Sequence, residues 1–406
     1  MKDNTTKFPD GWDCVKIKDI CDVERGSSPR PINQFLTNDP NGKNWIKIGD
    51  TKLNSKYITS TKEKIINEGI KHSREVKKGD FLLSNSMSFG RPYILNIDGC
   101  IHDGWLVFTN FSERINKDYL YYVLSSPIIK EQFISQARGA IVKNLNIDIV
   151  MNVIIPLPEL IMQKRIVEII ETKLTTVEKA KRANAEQLSI IERLFDSYVE
   201  KIFNNENWQK VSLDDITIIN PSTRGKLPDD NEMYVSFVPM TAVDAKTGTI
   251  KNVESKILSE VRKGYTFFEN EDILFAKITP CMENGKSAIA RNLQNEIGFG
   301  STEFHVIKTK ENILAEWLHY YIRRRKYLED AKNYMTGSVG QQRLPDNYLY
   351  DTVIPLPSIE EQKKYVTILN QKREILFDIC RKVEEQSAYI NALSQSILRK
   401  AFNGDY

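Results

Sequence analysis

The stretch "VIIPLPELIMQKRIVEII" at residues 153–170 returns as "TVIPLPSIEEQKKYVTIL" at residues 352–369, an offset of 199. A self-similarity at fixed spacing constrains architecture more than any single motif, because it divides the chain into two copies of one unit. The rest of the chain follows the same order. "GWDCVKIKDI" (11–20) is answered by "NWQKVSLDDI" (207–216), each a Trp-led approach to a short strand and turn. "VKKGDFLLSNSMSFGRPYI" (76–94) is answered by "FENEDILFAKITPCMENGKSAI" (268–289): an acidic turn, an apolar strand and a polar loop. "KDYLYYVLSSPIIKEQF" (117–133) and "AEWLHYYIRRRKYLEDA" (315–331) read as one aromatic-rich helix in each copy. "ARGAIVKNLN" (137–146) and "MTGSVGQQRLP" (335–345) are glycine-containing loops before the Pro-Leu-Pro strand. Period-2 strands mixed with one helix predict an α/β or α+β domain in each copy.

After Pro-Leu-Pro the pattern changes. Residues 159–203 and 358–402 contain no glycine and no further proline, and proline is tolerated where a helix begins. A 3-4 ladder runs through Val167, Ile170, Leu174, Val177, Lys181, Asn184, Leu188, Ile191, Phe195, Tyr198 and Ile202. The same ladder, 199 residues on, holds Val366, Leu369, Arg373, Leu376, Cys380, Val383, Ser387, Ile390, Ser394, Ile397 and Ala401. So long a stripe predicts a coiled-coil seam in which the two helices pair antiparallel, unless each packs on its own domain. The expected divisions are a first domain at 1–158, a long helix at 159–204, a second domain at 205–357 and a second helix at 358–406. Two similar heads on a stiff spacer suit a polymer with two sites, such as a duplex whose groove faces recur every ~34 Å.

This order resembles the specificity subunit of type I restriction-modification systems. The residues that carry the resemblance are Pro156, Leu157, Pro158 and Gln163, repeated as Pro355, Leu356, Pro357 and Gln362 and followed each time by a long helix. The resemblance implies two target-recognition domains that read an asymmetric, bipartite double-stranded DNA target. It also implies helices that dock two adenine-methyltransferase subunits and, through them, a translocating restriction subunit. S-adenosylmethionine, ATP and Mg²⁺ would then belong to partner subunits, with no cofactor on this chain.

The loops hold donors suited to base edges and phosphates. In the first copy these are Arg25, Ser28, Arg30, Asn85, Ser86, Ser88, Arg91, Lys143 and Asn144. In the second they are Arg224, Lys226, Lys277, Thr279, Asn284, Lys286, Gln341, Gln342 and Arg343. The run "RRRK" at 323–326 reads either as a phosphate clamp or as an exposed helix face.

Catalytic signatures are missing from the sequence. There is no P-loop, no glycine-rich loop for S-adenosylmethionine and no Asn-Pro-Pro-Tyr type motif. Asp229, Glu254 and Lys256 mimic an acidic metal site, but "ESKILSE" repeats as "KEKIINE", which marks a structural segment. The four histidines and five cysteines form no metal-ligand or disulfide pattern. Neither a membrane span nor a signal peptide is expected, which places the protein in the cytoplasm, and the net charge of +3 decides nothing about a polyanionic partner. The rival readings are a non-catalytic adaptor with two protein-binding heads and a stand-alone endonuclease.

Overall fold

The computed structural model describes residues 8–405 apart from 53–54, 86–89, 137–144, 224, 226 and 339. The chain divides into two compact units, one formed by residues 1–185 with 384–406 and the other by residues 186–383.

Unit 1 holds two principal sheets. The first orders Leu36–Thr37, Glu63–Ile65, Lys43–Ile46, Gly99–Ile101 and Arg74–Val76; the second orders Asp22–Arg25, Trp105–Thr109, Phe81–Ser84, Pro92–Leu95 and Tyr57–Ile58. Alternation along the strands builds two cores at once. Leu82, Trp105 and Val107 face the first sheet with Ile46, Val76 and Ile101, and the Trp105 indole donates to the Ile46 carbonyl at 3.1 Å. Phe81, Leu83, Leu106 and Phe108 point the other way, onto the helices.

Unit 2 repeats this plan. Glu254–Ile257, Tyr234–Val238, Ile297–Gly300 and Thr266–Glu269 form one sheet, and Thr217–Ile219, Phe304–Thr309, Ile273–Ala276 and Ser287–Ile289 form the other. Strand order matches unit 1 throughout. In both units the central pair of the first sheet is parallel, Lys43–Ile46 with Gly99–Ile101 and Tyr234–Val238 with Ile297–Gly300. Unit 1 differs by its two extra edge strands, Leu36–Thr37 and Tyr57–Ile58, and unit 2 by a small antiparallel pair, Val243–Asp244 with Thr249–Ile250.

The single aromatic helix expected in each copy is in fact two. In unit 1, Lys117–Ser125 stops at Ser126 and Pro127–Gln136 begins anew. Pro127 has no N–H to continue the first helix, and it forces the preceding Ser126 into an extended conformation. In unit 2, Ala315–Ile322 and Arg325–Lys332 are separated at Arg323 and Arg324, with Arg324 extended. No proline makes this break. Instead Arg323 donates to the carbonyls of Ala245 (2.7 Å) and Gly285 (2.9 Å), while Arg324 pairs with Glu200 at 3.0 Å. Half of the "RRRK" run is therefore internal scaffolding, neither phosphate clamp nor free helix face.

The Pro-Leu-Pro strands close each unit. Asp13–Lys16 pairs with Ile154–Leu157, and Gln209–Ser212 with Val353–Leu356, in both cases antiparallel. An aromatic side chain donates to the first proline carbonyl in each, Tyr119 to Pro156 at 2.9 Å and Trp317 to Pro355 at 3.2 Å. Five residues past the second proline sits a fully buried glutamine. Gln163 accepts from the Asn116 N–H (2.8 Å) and donates to the carbonyls of Arg114 (2.8 Å) and Pro158 (2.8 Å). Gln362 accepts from the Leu314 N–H (2.9 Å) and donates to Asn312 (3.1 Å) and Pro357 (2.9 Å). The motif's glutamine thus staples the helix start to the loop before the aromatic helix.

The long helices run Leu160–Phe203 and Ile359–Asn403. Within unit 1, Ile166 and Ile170 near the start of the first share a core with Leu398, Ala401 and Phe402 at the end of the second. Within unit 2, Val199, Ile202 and Phe203 at the end of the first share a core with Val366 and Leu369 at the start of the second. Start meets end both times, so the helices pack antiparallel. Each of the ladder positions, from Val167 to Ile202 and from Val366 to Ala401, is buried or half-buried. Among the described residues, no helix is long and apolar enough to cross a membrane.

Candidate nucleic-acid interface

The polar loops singled out from the sequence converge at one end of the second sheet in each unit. In unit 1, the Asn85 N–H donates to the Gly104 carbonyl (3.0 Å) and the Leu145 N–H to the Asn85 carbonyl (2.9 Å), which ties three loops together. In unit 2, the Lys277 N–H donates to Glu303 (2.9 Å) and the Leu344 N–H to Lys277 (2.8 Å), the same two bonds at equivalent places. Loops far apart in sequence therefore share one surface because the strands that carry them are neighbours.

Asp103 organises the unit 1 surface. Its carboxylate accepts from Ser28 Oγ (3.1 Å) and Arg30 (3.1 Å), and its carbonyl accepts from Arg25 Nε (2.9 Å) and the Asn85 amide (2.9 Å). Burial by itself would raise this carboxyl, yet the Ser28 hydrogen bond and the neighbouring His102 and Arg30 hold it below the ordinary range. Beside it lies a cleft of about 370 Å³ lined by Ser28, Arg30, Trp45, Lys47, Glu63 and His102. Arg30 and Arg91 are exposed, whereas Asn85 is 1% exposed, so its amide holds the loop and does not face solvent. Ser86, Ser88, Lys143 and Asn144 lie outside the described residues.

Unit 2 gathers a different set of groups. Arg343 is bonded to Glu303 through two edge nitrogens, Nε to Oε2 at 2.9 Å and Nη2 to Oε1 at 2.6 Å. That contact holds the Glu303 carboxyl below its ordinary range. Thr279 braces the loop, accepting the Gln342 N–H on its hydroxyl (3.1 Å) and donating its own N–H to the Gln342 carbonyl (3.0 Å). Lys286 donates one of its ammonium hydrogens to the Met240 carbonyl (2.9 Å). Lys277 and Gln342 are half-exposed and Asn284 and Gln341 exposed, while Arg224 and Lys226 lie outside the described residues.

The acidic organisers Asp103 and Glu303 stand outside the set of loop donors that the sequence suggests, because a carboxylate is not itself suited to phosphate. A signal existed: "HDGW" (102–105) and "STEF" (301–304) lead into equivalent strands, each with one acid in the turn. The histidines have structural partners. His305 lies 2.8 Å from the Leu344 carbonyl and His319 3.1 Å from Ser287 Oγ, and burial keeps both below the ordinary imidazole range. Lys256 stacks over Phe237 at 3.8 Å, and Glu254–Ile257 pairs in the sheet as Glu63–Ile65 does in unit 1. Among the described residues, no cluster of three or more potential ligands is placed to hold a metal.

Two copies of one fold, each collecting polar loops at the same sheet end, define a duplicated recognition domain. The family model for the type I restriction modification DNA specificity domain matches residues 9–187 and again 205–386, and the chain belongs to that family. It is 36% identical over 183 residues to the EcoAI type I restriction enzyme specificity subunit of Escherichia coli, a match covering 45% of this chain. That match spans only 30% of the relative's length. The EcoKI specificity subunit of Escherichia coli K12 is 21% identical over 434 residues, covering 98% of this chain and 90% of the relative. In fold, the chain is similar to one from a structure of complex assembly in the type I R-M system, with TM-score 0.75, 21% identity and coverage of 98% and 100%. It is also similar to the HsdS subunit from Thermoanaerobacter tengcongensis, with TM-score 0.58, 21% identity and full coverage of both chains.

Proposed function

We propose that this chain selects the DNA sequence acted on by a type I restriction-modification complex, each unit reading one half of an asymmetric, bipartite duplex target. The observation that carries the reading is the twofold-repeated convergence of polar loops with non-repeated side chains. The shared backbone bonds place the loops alike, while the arginine held on the acid comes from a different loop in each unit, Arg30 on Asp103 and Arg343 on Glu303. Equal placement with unequal side chains is what two distinct half-sites require.

The chemistry on DNA would be supplied by partners, with S-adenosylmethionine on methyltransferase subunits and ATP and Mg²⁺ on a restriction subunit. Two equivalent docking patches support a stoichiometry of two methyltransferases to one of this chain. Ile190 (40% exposed) and Leu194 (65%) on the first long helix correspond at the offset of 199 to Tyr389 (74%) and Leu393 (49%) on the second. Large apolar side chains exposed at repeat-related positions mark a surface that is covered in an assembly.

The test is to map methylated adenines in host DNA with and without the gene. A bipartite, asymmetric motif that vanishes with the gene is the expected result. A short continuous palindrome dependent on the chain, or no change at all, would refute the reading; salt-independent or absent DNA binding by the complex would favour the adaptor.

A further inference from the structure

Arginine side chains that contact phosphate and those that read bases differ in what surrounds them. A phosphate contact draws its strength from net positive charge and the counterions released, whereas base reading depends on where a fork of donors is aimed. In unit 2 the Arg343 guanidinium is already neutralised by Glu303, which takes Nε and one hydrogen of Nη2. Of its five N–H groups, the two on Nη1 and the second on Nη2 stay on the opposite edge, where the structure gives them no partner among the described residues. One N–H of Nη1 and the free N–H of Nη2 point the same way and form an end-on fork that matches the O6 and N7 acceptors of guanine in the major groove.

The fork is also held in place. Arg343 exchanges two backbone hydrogen bonds with Thr336, at 2.8 and 2.9 Å, and its neighbours Gln342 and Leu344 are bonded to Thr279 and Lys277. A side chain anchored at its backbone and again at its guanidinium loses little freedom on binding, which favours directional recognition. Among the described residues, the other loop arginines lack this arrangement. Arg30 touches Asp103 through one nitrogen only, with its side chain 80% exposed. Arg291 is bidentate to Glu271, but its Nη2 is also engaged by Glu316, so its outer edge is occupied.

Resting on the specificity reading above, we propose that Arg343 reads a guanine in the half-site taken by unit 2 and that Glu303 is the positioning residue that aims it. The full chain, in complex with its adenine-methyltransferase partner, is used to select duplexes from a randomised library, as wild type, R343K, R343Q and E303Q. Wild type should require guanine at one position of one half-site. R343K should relax that position about tenfold or more, leaving the other positions and the affinity for unselected duplex within about twofold. Replacing that guanine by 7-deazaguanine removes N7, and should weaken wild type about tenfold without further loss in R343K. E303Q should weaken the same position and no other.

Loss of affinity by R343K and R343Q that is uniform across sequences would make Arg343 a phosphate contact and overturn the proposal. Unchanged preference in R343K would overturn it as well, and an unaltered E303Q profile would remove Glu303 from its role. Should wild-type complex select no sequence, the specificity reading itself fails; a selective wild type with an indifferent Arg343 condemns this inference alone.

Discussion

Substitution of Gln163 by alanine isolates the contribution of the repeated Pro-Leu-Pro-x₄-Gln motif. The side chain is fully buried and makes three hydrogen bonds to main-chain groups, one accepted and two donated. At about 1 kcal/mol net for each bond, their loss costs about 3 kcal/mol. The N–H of Asn116 and the carbonyls of Arg114 and Pro158 are left facing a cavity, which raises the total toward about 5 kcal/mol unless water enters. Gln362→Ala should cost a similar amount, because Gln362 makes the same three bonds to Leu314, Asn312 and Pro357. A single melting temperature would blur two units, so the assay is hydrogen exchange followed by peptide mass spectrometry. Gln163→Ala should lower protection by roughly a hundredfold or more in the helices of unit 1, Lys117–Ser125 and Pro127–Gln136, and Gln362→Ala should do so in those of unit 2. A loss below about fivefold in either unit would refute the reasoning that these glutamines are structural staples.

The helix seam offers a paired test. Ile170 and Leu369 are related by the repeat and fully buried, so Ile170→Ala and Leu369→Ala should each cost about 2–5 kcal/mol, read by the same exchange measurement in units 1 and 2 respectively. If the proposed two-to-one assembly holds, charging one proposed docking patch with Ile190→Asp and Leu194→Asp should reduce methyltransferase stoichiometry from two to one in native mass spectrometry, and adding Tyr389→Asp and Leu393→Asp should abolish binding; undiminished binding by the fourfold variant would count against the patches. The Arg343 pair should respond to acid. Because Arg343 holds the Glu303 carboxyl below its unfolded value, the pair's contribution is present above that unfolded value and is lost as pH falls through the folded one. Exchange protection around residues 336–344 should therefore fall on acidification in wild type and change less in Glu303→Gln.

Several features were legible in the chain before any coordinates, for a physical reason. Strand and helix periods are local, and a repeat at constant offset copies them, so the two α/β units, the long helices and their antiparallel pairing all followed from spacing. A proline has one local meaning too, yet the aromatic run on either side of Pro127 reads as continuous helix and masks the break there. What tertiary structure alone decided is the fate of individual polar side chains. Arg343 and Glu303 are 40 residues apart and Ser28 and Asp103 are 75 apart, and no local pattern announces that they meet. Arg323 and Arg324 look like a basic surface in sequence and become internal ties to Ala245, Gly285 and Glu200. Asn85 and Gln163 are both plain amides in the sequence, and burial assigns each to main-chain groups. Sequence sets the period that forms an element; the role of a charge or an amide depends on which distant group the fold brings within about 3 Å of it.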